Sequence, residues 1–125
     1  ALAVVEEMKK RTIQIKDSNI LLLGITFKEN CPDIRNTKAV DIYKELKQYT
    51  SNIDVYDSWA SDEEVREELG IELTSTLTEK KYDSIVLVVA HNEFLSLDFS
   101  KIKKENSIVY DVKGVLDKEN IDKRL

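Results

Sequence analysis

Ile20-Leu21-Leu22-Leu23-Gly24-Ile25-Thr26-Phe27-Lys28-Glu29-Asn30-Cys31-Pro32-Asp33-Ile34-Arg35-Asn36-Thr37 is the stretch that decides how this chain folds. It opens on a continuous apolar run, the pattern of a strand buried on both faces of a parallel sheet. After Gly24 comes a polar loop carrying two cations, Lys28 and Arg35, and Asn36 can then cap a helix. The exit from a buried strand toward a helix is where open α/β sheets bind anionic ligands. Function is to be sought there first.

Working outward, Ala39, Ile42, Tyr43 and Leu46 stand at i, i+3, i+4 and i+7, one apolar stripe on a helix that packs on the sheet. Ile53-Asp54-Val55-Tyr56-Asp57 reads as a second strand. Ser61-Asp62-Glu63-Glu64 is a capping box that starts another helix, and Gly70 can close it. Ile71–Thr74 suits a short edge strand, with a brief helical turn near 76–80. The β-branched run from Ile85 to Ala90 belongs at the sheet centre, and Ser107–Val112 forms a further strand. On the N-terminal side, Ala1, Val4, Val5 and Met8 give a helical stripe over roughly 1–15, broken by Asp17-Ser18-Asn19. A helix that opens without a cap is expected to continue something longer.

Strands alternating with helices call for right-handed crossovers and a parallel sheet with helices on both faces. The class is α/β, an open, mainly parallel, Rossmann-like sheet in one compact domain of ordinary core size.

A net charge of −5 over 125 residues argues against nucleic acid as a partner, since phosphate contacts need a basic face. The single Cys31 can form no internal disulfide, and neither a charged-then-apolar leader nor an apolar run of about 18 residues is present. A cytoplasmic setting with no membrane partner is the expectation.

The strand ends carry the candidate chemistry: Lys28 and Arg35, then Asp57, then His91-Asn92-Glu93, then Lys113-Gly114. Three cations converge on one edge, although Lys28 and Arg35 also read as solvated loop charges paired with Glu29 and Asp33. A dinucleotide fingerprint needs G-x-G-x-x-G after the first strand, and Gly24 stands alone. Phosphates would therefore meet Lys and Arg side chains. Cys31 has no His nearby in sequence and reads as a structural or incidental thiol. His91, the chain's one histidine, has no second metal ligand at useful spacing and reads as a strand-end hydrogen-bonding group. Trp59 suits either a surface anchor or local packing.

The stretch Gly24–Thr37 resembles the G-x-x-F-K-x-x-x-x-D-x-R motif that opens the C-terminal domain of the UDP-glucose and GDP-mannose dehydrogenase family. The likeness continues through Val55-Tyr56-Asp57, Ile85–Phe94 and Asp111-Val112-Lys113-Gly114-Val115-Leu116, and its wording is most similar to bacterial enzymes that oxidise UDP-N-acetylhexosamines for polysaccharide synthesis. The resemblance implies that residues 1–16 end a long linking helix used in homodimerisation, and that 17–125 form a UDP-sugar-binding domain. It implies Phe27 and Lys28 on the UDP part of the substrate, Lys113 in place of an arginine on the pyrophosphate, and Arg35 reaching NAD held by a preceding domain. It further implies two-step, NAD-dependent oxidation of a C6 hydroxyl through a thiohemiacetal on a cysteine of that preceding region, so that no catalytic residue lies here. The rival readings are a receiver-like signalling domain, which needs an acidic pair after the first strand that Gly24-Ile25-Thr26 does not supply, and a non-catalytic interaction domain.

Overall fold

The computed structural model describes residues 18–28, 30–34, 38–74, 77, 81–111 and 123–124. The expected helix at 1–15, the Asn36 cap, and the candidate residues Arg35 and Lys113 lie outside the described residues. Among the described residues five parallel strands form one sheet: β1 (Ile20–Leu23), β2 (Ile53–Tyr56), β3 (Tyr82–Leu87), β4 (Lys103–Asp111) and β5 (Lys123–Arg124). Their order is β2-β1-β3-β4-β5. The α/β class with a parallel, doubly wound sheet is thus the observed one.

The apolar run of β1 sits between two neighbours and alternates between two cores. Ile20 and Leu22 join Val55, Val86, Ile108 and Tyr110 on one face, together with Ala39 and Leu46 of α1 (Lys38–Lys47) and Val65 of α2 (Asp62–Leu69). Leu21 and Leu23 join Ile85, Leu87 and Val109 on the other, under Phe94 of α3 (Asn92–Leu95) and Phe99 of the 3₁₀ turn Phe99–Lys101. Each fully buried leucine contributes about 1.5–3 kcal/mol of transfer free energy, so both faces of this one strand must be covered.

The allocation of faces follows from handedness. Moving outward from β1 to β2 in right-handed turns places α1 on the first face, and α2 lies there too because the chain continues outward: Leu73 forms an isolated parallel bridge with Val55 beyond β2. Leu77 then packs on the second core as the chain crosses back to β3. The expected edge strand at 71–74 is reduced to that bridge. Among the described residues the second face carries only a one-turn helix and a 3₁₀ turn.

The α2 caps are as the sequence implies: Ser61 Oγ accepts from the Glu64 N–H, and Gly70 closes the helix at φ 67° with its N–H on Arg66 O. The central strand is displaced from its expected bounds of 85–90. It begins at Tyr82 and ends at Leu87: the Val88 N–H makes the last rung, to Leu23 O, and the Val89 N–H turns to the same carbonyl instead of continuing the ladder. β4 likewise starts four residues earlier than Ser107, with a register shift opposite Tyr82–Ser84.

Gly24 ends β1 at φ 99°, and a Cβ there would stand 2.5 Å from Val89 Cβ and 2.9 Å from Val89 N. Gly70 has the same left-handed backbone with open space around it. Gly24→Ala should therefore destabilise by roughly 3 kcal/mol or more and Gly70→Ala by about 1 kcal/mol, read as shifts in the denaturant midpoint. Equal losses would remove the packing role assigned to Gly24.

Candidate functional site

In this strand order the connection leaving β1 goes to one face and that leaving β3 to the other, which opens a crevice between their carboxyl ends. Here the floor of that crevice is filled by protein. Thr26, Asp57 and His91 are all buried in it, supplied by the ends of β1, β2 and β3 respectively.

Asp57 is the hub. Its Oδ2 accepts from the N–H of Ile25 at 2.8 Å, the N–H of Thr26 at 3.2 Å and Nε2 of His91 at 2.9 Å. Its Oδ1 accepts from the N–H of Trp59 at 2.8 Å and of Ala60 at 3.2 Å, which turns the chain after β2. Burial alone would raise the Asp57 pKa, but the His91 hydrogen bond and the backbone N–H donors outweigh it and hold the carboxyl below its ordinary value. It stays an anion whose charge is spent on its own neighbours.

The same network decides the state of His91. Nδ1 accepts from the Asn30 N–H at 2.8 Å, and a backbone amide can only donate, so Nδ1 carries no proton. The proton is on Nε2, shared between Asp57 Oδ2 and Thr26 Oγ1 at 3.0 Å. Thr26 Oγ1 in turn donates to the carbonyl of Lys28 at 3.1 Å. His91 is thus a neutral imidazole with both nitrogens engaged.

These bonds pin the loop after β1 at successive points. The Gly24 N–H bonds Tyr56 O, the Phe27 N–H bonds Asp33 O at 2.6 Å, and Ile25 and Ile34 are buried on either side. Asn30 takes a left-handed φ of 55°, which asparagine tolerates, and its Oδ1 accepts from the Asn92 N–H at 3.1 Å. Between the pins, Phe27 and Lys28 face solvent, Phe27 at 53% exposure.

Trp59 packs locally: its indole stacks on the His91 ring with centroids 5.9 Å apart, and its Nε1 donates to Glu93 Oε1 at 3.1 Å. Phe94 meets the His91 ring edge-on at 5.4 Å. Ser58 donates to Glu93 Oε2, and that bond is the main cause holding the Glu93 pKa below its ordinary value. Cys31 is half-buried in the loop and free. The sequence picks out Asp57 and His91 as strand-end residues without pairing them. Thr26 and Asn30 have no sequence signal beyond their place in the loop.

A dinucleotide turn needs bare backbone facing the ligand, and here the space that Gly24 leaves is taken by Val89. Among the described residues the loop after β1 therefore offers side chains to a ligand, and Lys28 is its exposed cation.

Because the native Asp57 pKa is lowered, its contribution to stability is full well above about pH 4, the unfolded value, and is lost as pH falls through the native value. Asp57→Asn should flatten this acid limb when unfolding free energy is followed from pH 6 to 2. An unchanged limb would contradict the assignment.

Residues 21–118 match the model of the UDP-glucose/GDP-mannose dehydrogenase family, UDP binding domain. The chain is 44% identical over 125 residues to the UDP-N-acetyl-D-glucosamine 6-dehydrogenase of Pseudomonas aeruginosa and 42% identical over 125 residues to that of Salmonella typhi. Each alignment covers 98% of this chain, which spans only 30% and 29% of the length of those relatives. Two solved structures share the fold: UDP-D-ManNAc dehydrogenase from Pyrococcus horikoshii, at TM-score 0.79 and 19% identity over 98% of this chain and 29% of that one, and NDP-N-acetyl-D-galactosaminuronic acid dehydrogenase from Methanosarcina mazei, at 0.81 and 21% over 93% and 25%. With its doubly wound sheet and the F-K loop at the β1 exit, the chain belongs to the UDP-glucose/GDP-mannose dehydrogenase family, as its UDP-binding domain.

Proposed function

We propose that this domain holds the UDP-sugar in an NAD-dependent 6-dehydrogenase that converts the C6 hydroxyl of a UDP-N-acetylhexosamine to a carboxylate for polysaccharide synthesis. The observation that carries this reading is the exposed Phe27-Lys28 pair, presented at the mouth of the crevice by a loop fixed from below through Asp57 and His91. An aromatic ring beside an ammonium suits a nucleoside diphosphate, which offers apolar surface and negative oxygens together. The 44% and 42% identities to enzymes named for UDP-N-acetyl-D-glucosamine support the N-acetylated sugar.

Within this reading Lys28 and Phe27 bind the UDP part and Lys113 the pyrophosphate, where its single ammonium replaces a bidentate fork. Arg35 points recognition toward NAD, which a preceding domain holds and which would accept the hydride. No residue of this chain carries the chemical step. The intact enzyme is a cytoplasmic homodimer, with the NAD-binding and central domains supplied by sequence beyond this segment.

In the full-length enzyme, Lys28→Ala should raise KM for the UDP-sugar by about 10- to 100-fold, the worth of one charge-assisted hydrogen bond, with kcat much less affected. Arg35→Ala should chiefly raise KM for NAD. Steady-state kinetics with both substrates varied decides the matter, and wild-type constants in both variants would end the assignment.

A further inference from the structure

We propose that the buried Asp57–His91 pair is the positioning device of the substrate loop, with His91 acting as a neutral strut that sets where Phe27 and Lys28 stand. The proposal rests on the reading that these two residues meet the UDP-sugar. It assigns to Asp57, His91, Thr26 and Asn30 a role in recognition although the first three are buried and only Asn30 is exposed.

Position is transmitted bond by bond. From Asp57 Oδ2 the path runs through His91 Nε2 to Thr26 Oγ1 and on to the carbonyl of Lys28, so the backbone of the binding residue itself is the last link. A second path runs from His91 Nδ1 to the Asn30 N–H, on the far side of Lys28. A third anchors the near side, where Asp57 Oδ2 takes the N–H groups of Ile25 and Thr26. The exposed pair is therefore gripped from both directions by one carboxylate and one imidazole.

The strut is also held against rotation. Trp59 stacks on one face of the His91 ring, Phe94 abuts it edge-on, and Glu93 secures the indole. His91 is 0% exposed, and with the Asn30 N–H on Nδ1 it has no free lone pair to take a proton from substrate. General acid or base chemistry is closed to it, which leaves alignment as its function. Displacing a binding group by about 1 Å can cost 10²-fold in efficiency, so the alignment is worth holding with buried polar groups.

The test uses the full-length enzyme. His91→Ala should raise KM for the UDP-sugar by ~10- to 100-fold with a smaller change in kcat. His91→Gln, whose carboxamide presents one donor and one acceptor at the spacing of the two ring nitrogens, should return KM to within about 3-fold of wild type. Asn30→Gly keeps both the left-handed backbone and the amide on His91 but loses the Asn92 contact, and should raise KM only about 3-fold. Amide hydrogen exchange across residues 25–30 should accelerate in His91→Ala and recover in His91→Gln. A lowered melting temperature with wild-type KM in His91→Ala would overturn the proposal, as would failure of folded His91→Gln to rescue. If Lys28→Ala itself leaves KM unchanged, the UDP-sugar reading falls. Amide exchange then judges the strut alone: faster exchange in His91→Ala supports it, and unchanged exchange overturns it.

Discussion

One carboxylate governs the working end of this domain. Asp57 stands at the exit of β2, yet the amides it receives belong to the exit of β1 and to its own turn, and its imidazole partner belongs to the exit of β3. Three strand ends that the sheet merely sets side by side are thereby tied into one piece. A buried carboxylate is expensive unless fully engaged, and the engagement itself is what stiffens the crevice. Removing the carboxylate would take this acceptor from four backbone N–H groups and leave His91 Nε2 with Thr26 Oγ1 alone, so the arrangement stands or falls as a unit.

That arrangement alters how the doubly wound sheet serves recognition. The crevice between β1 and β3 is ordinarily the ligand's place, whereas here its floor is plugged by Thr26, Asp57 and His91. Val89 closes the remaining gap under Gly24. A ligand must rest above the plug, against side chains lifted out of it, and Phe27 and Lys28 are so lifted. The acidic balance of the chain is no obstacle, since Asp57 expends its charge inward and the cation faces out.

The fold was legible because its signals are local. Ile20–Leu23 could hardly be anything but an interior strand, and Ser61 with Gly70 brackets its helix by chemistry that acts over a single turn. The limits of β3 were not, because Val88 and Val89 are as β-prone as their predecessors and the ladder stops only where the Val89 N–H doubles back onto Leu23 O, a partner distant in sequence. The site divides in the same way. Phe27 and Lys28 stand in a recognisable motif, while the bond between Asp57 and His91 spans 34 positions and is created by topology alone. Spacing along the chain says nothing about which strand ends become neighbours.

The margins of the sheet have a consequence of their own. Among the described residues the ladder beyond β2 ends in a single bridge at Leu73, and on the other side β5 has two residues. A sheet edge is a template on which another chain can add a strand, and long flat edges invite aggregation. Among the described residues these borders are tapered, and they leave little ladder for another chain to copy beside a strongly apolar centre.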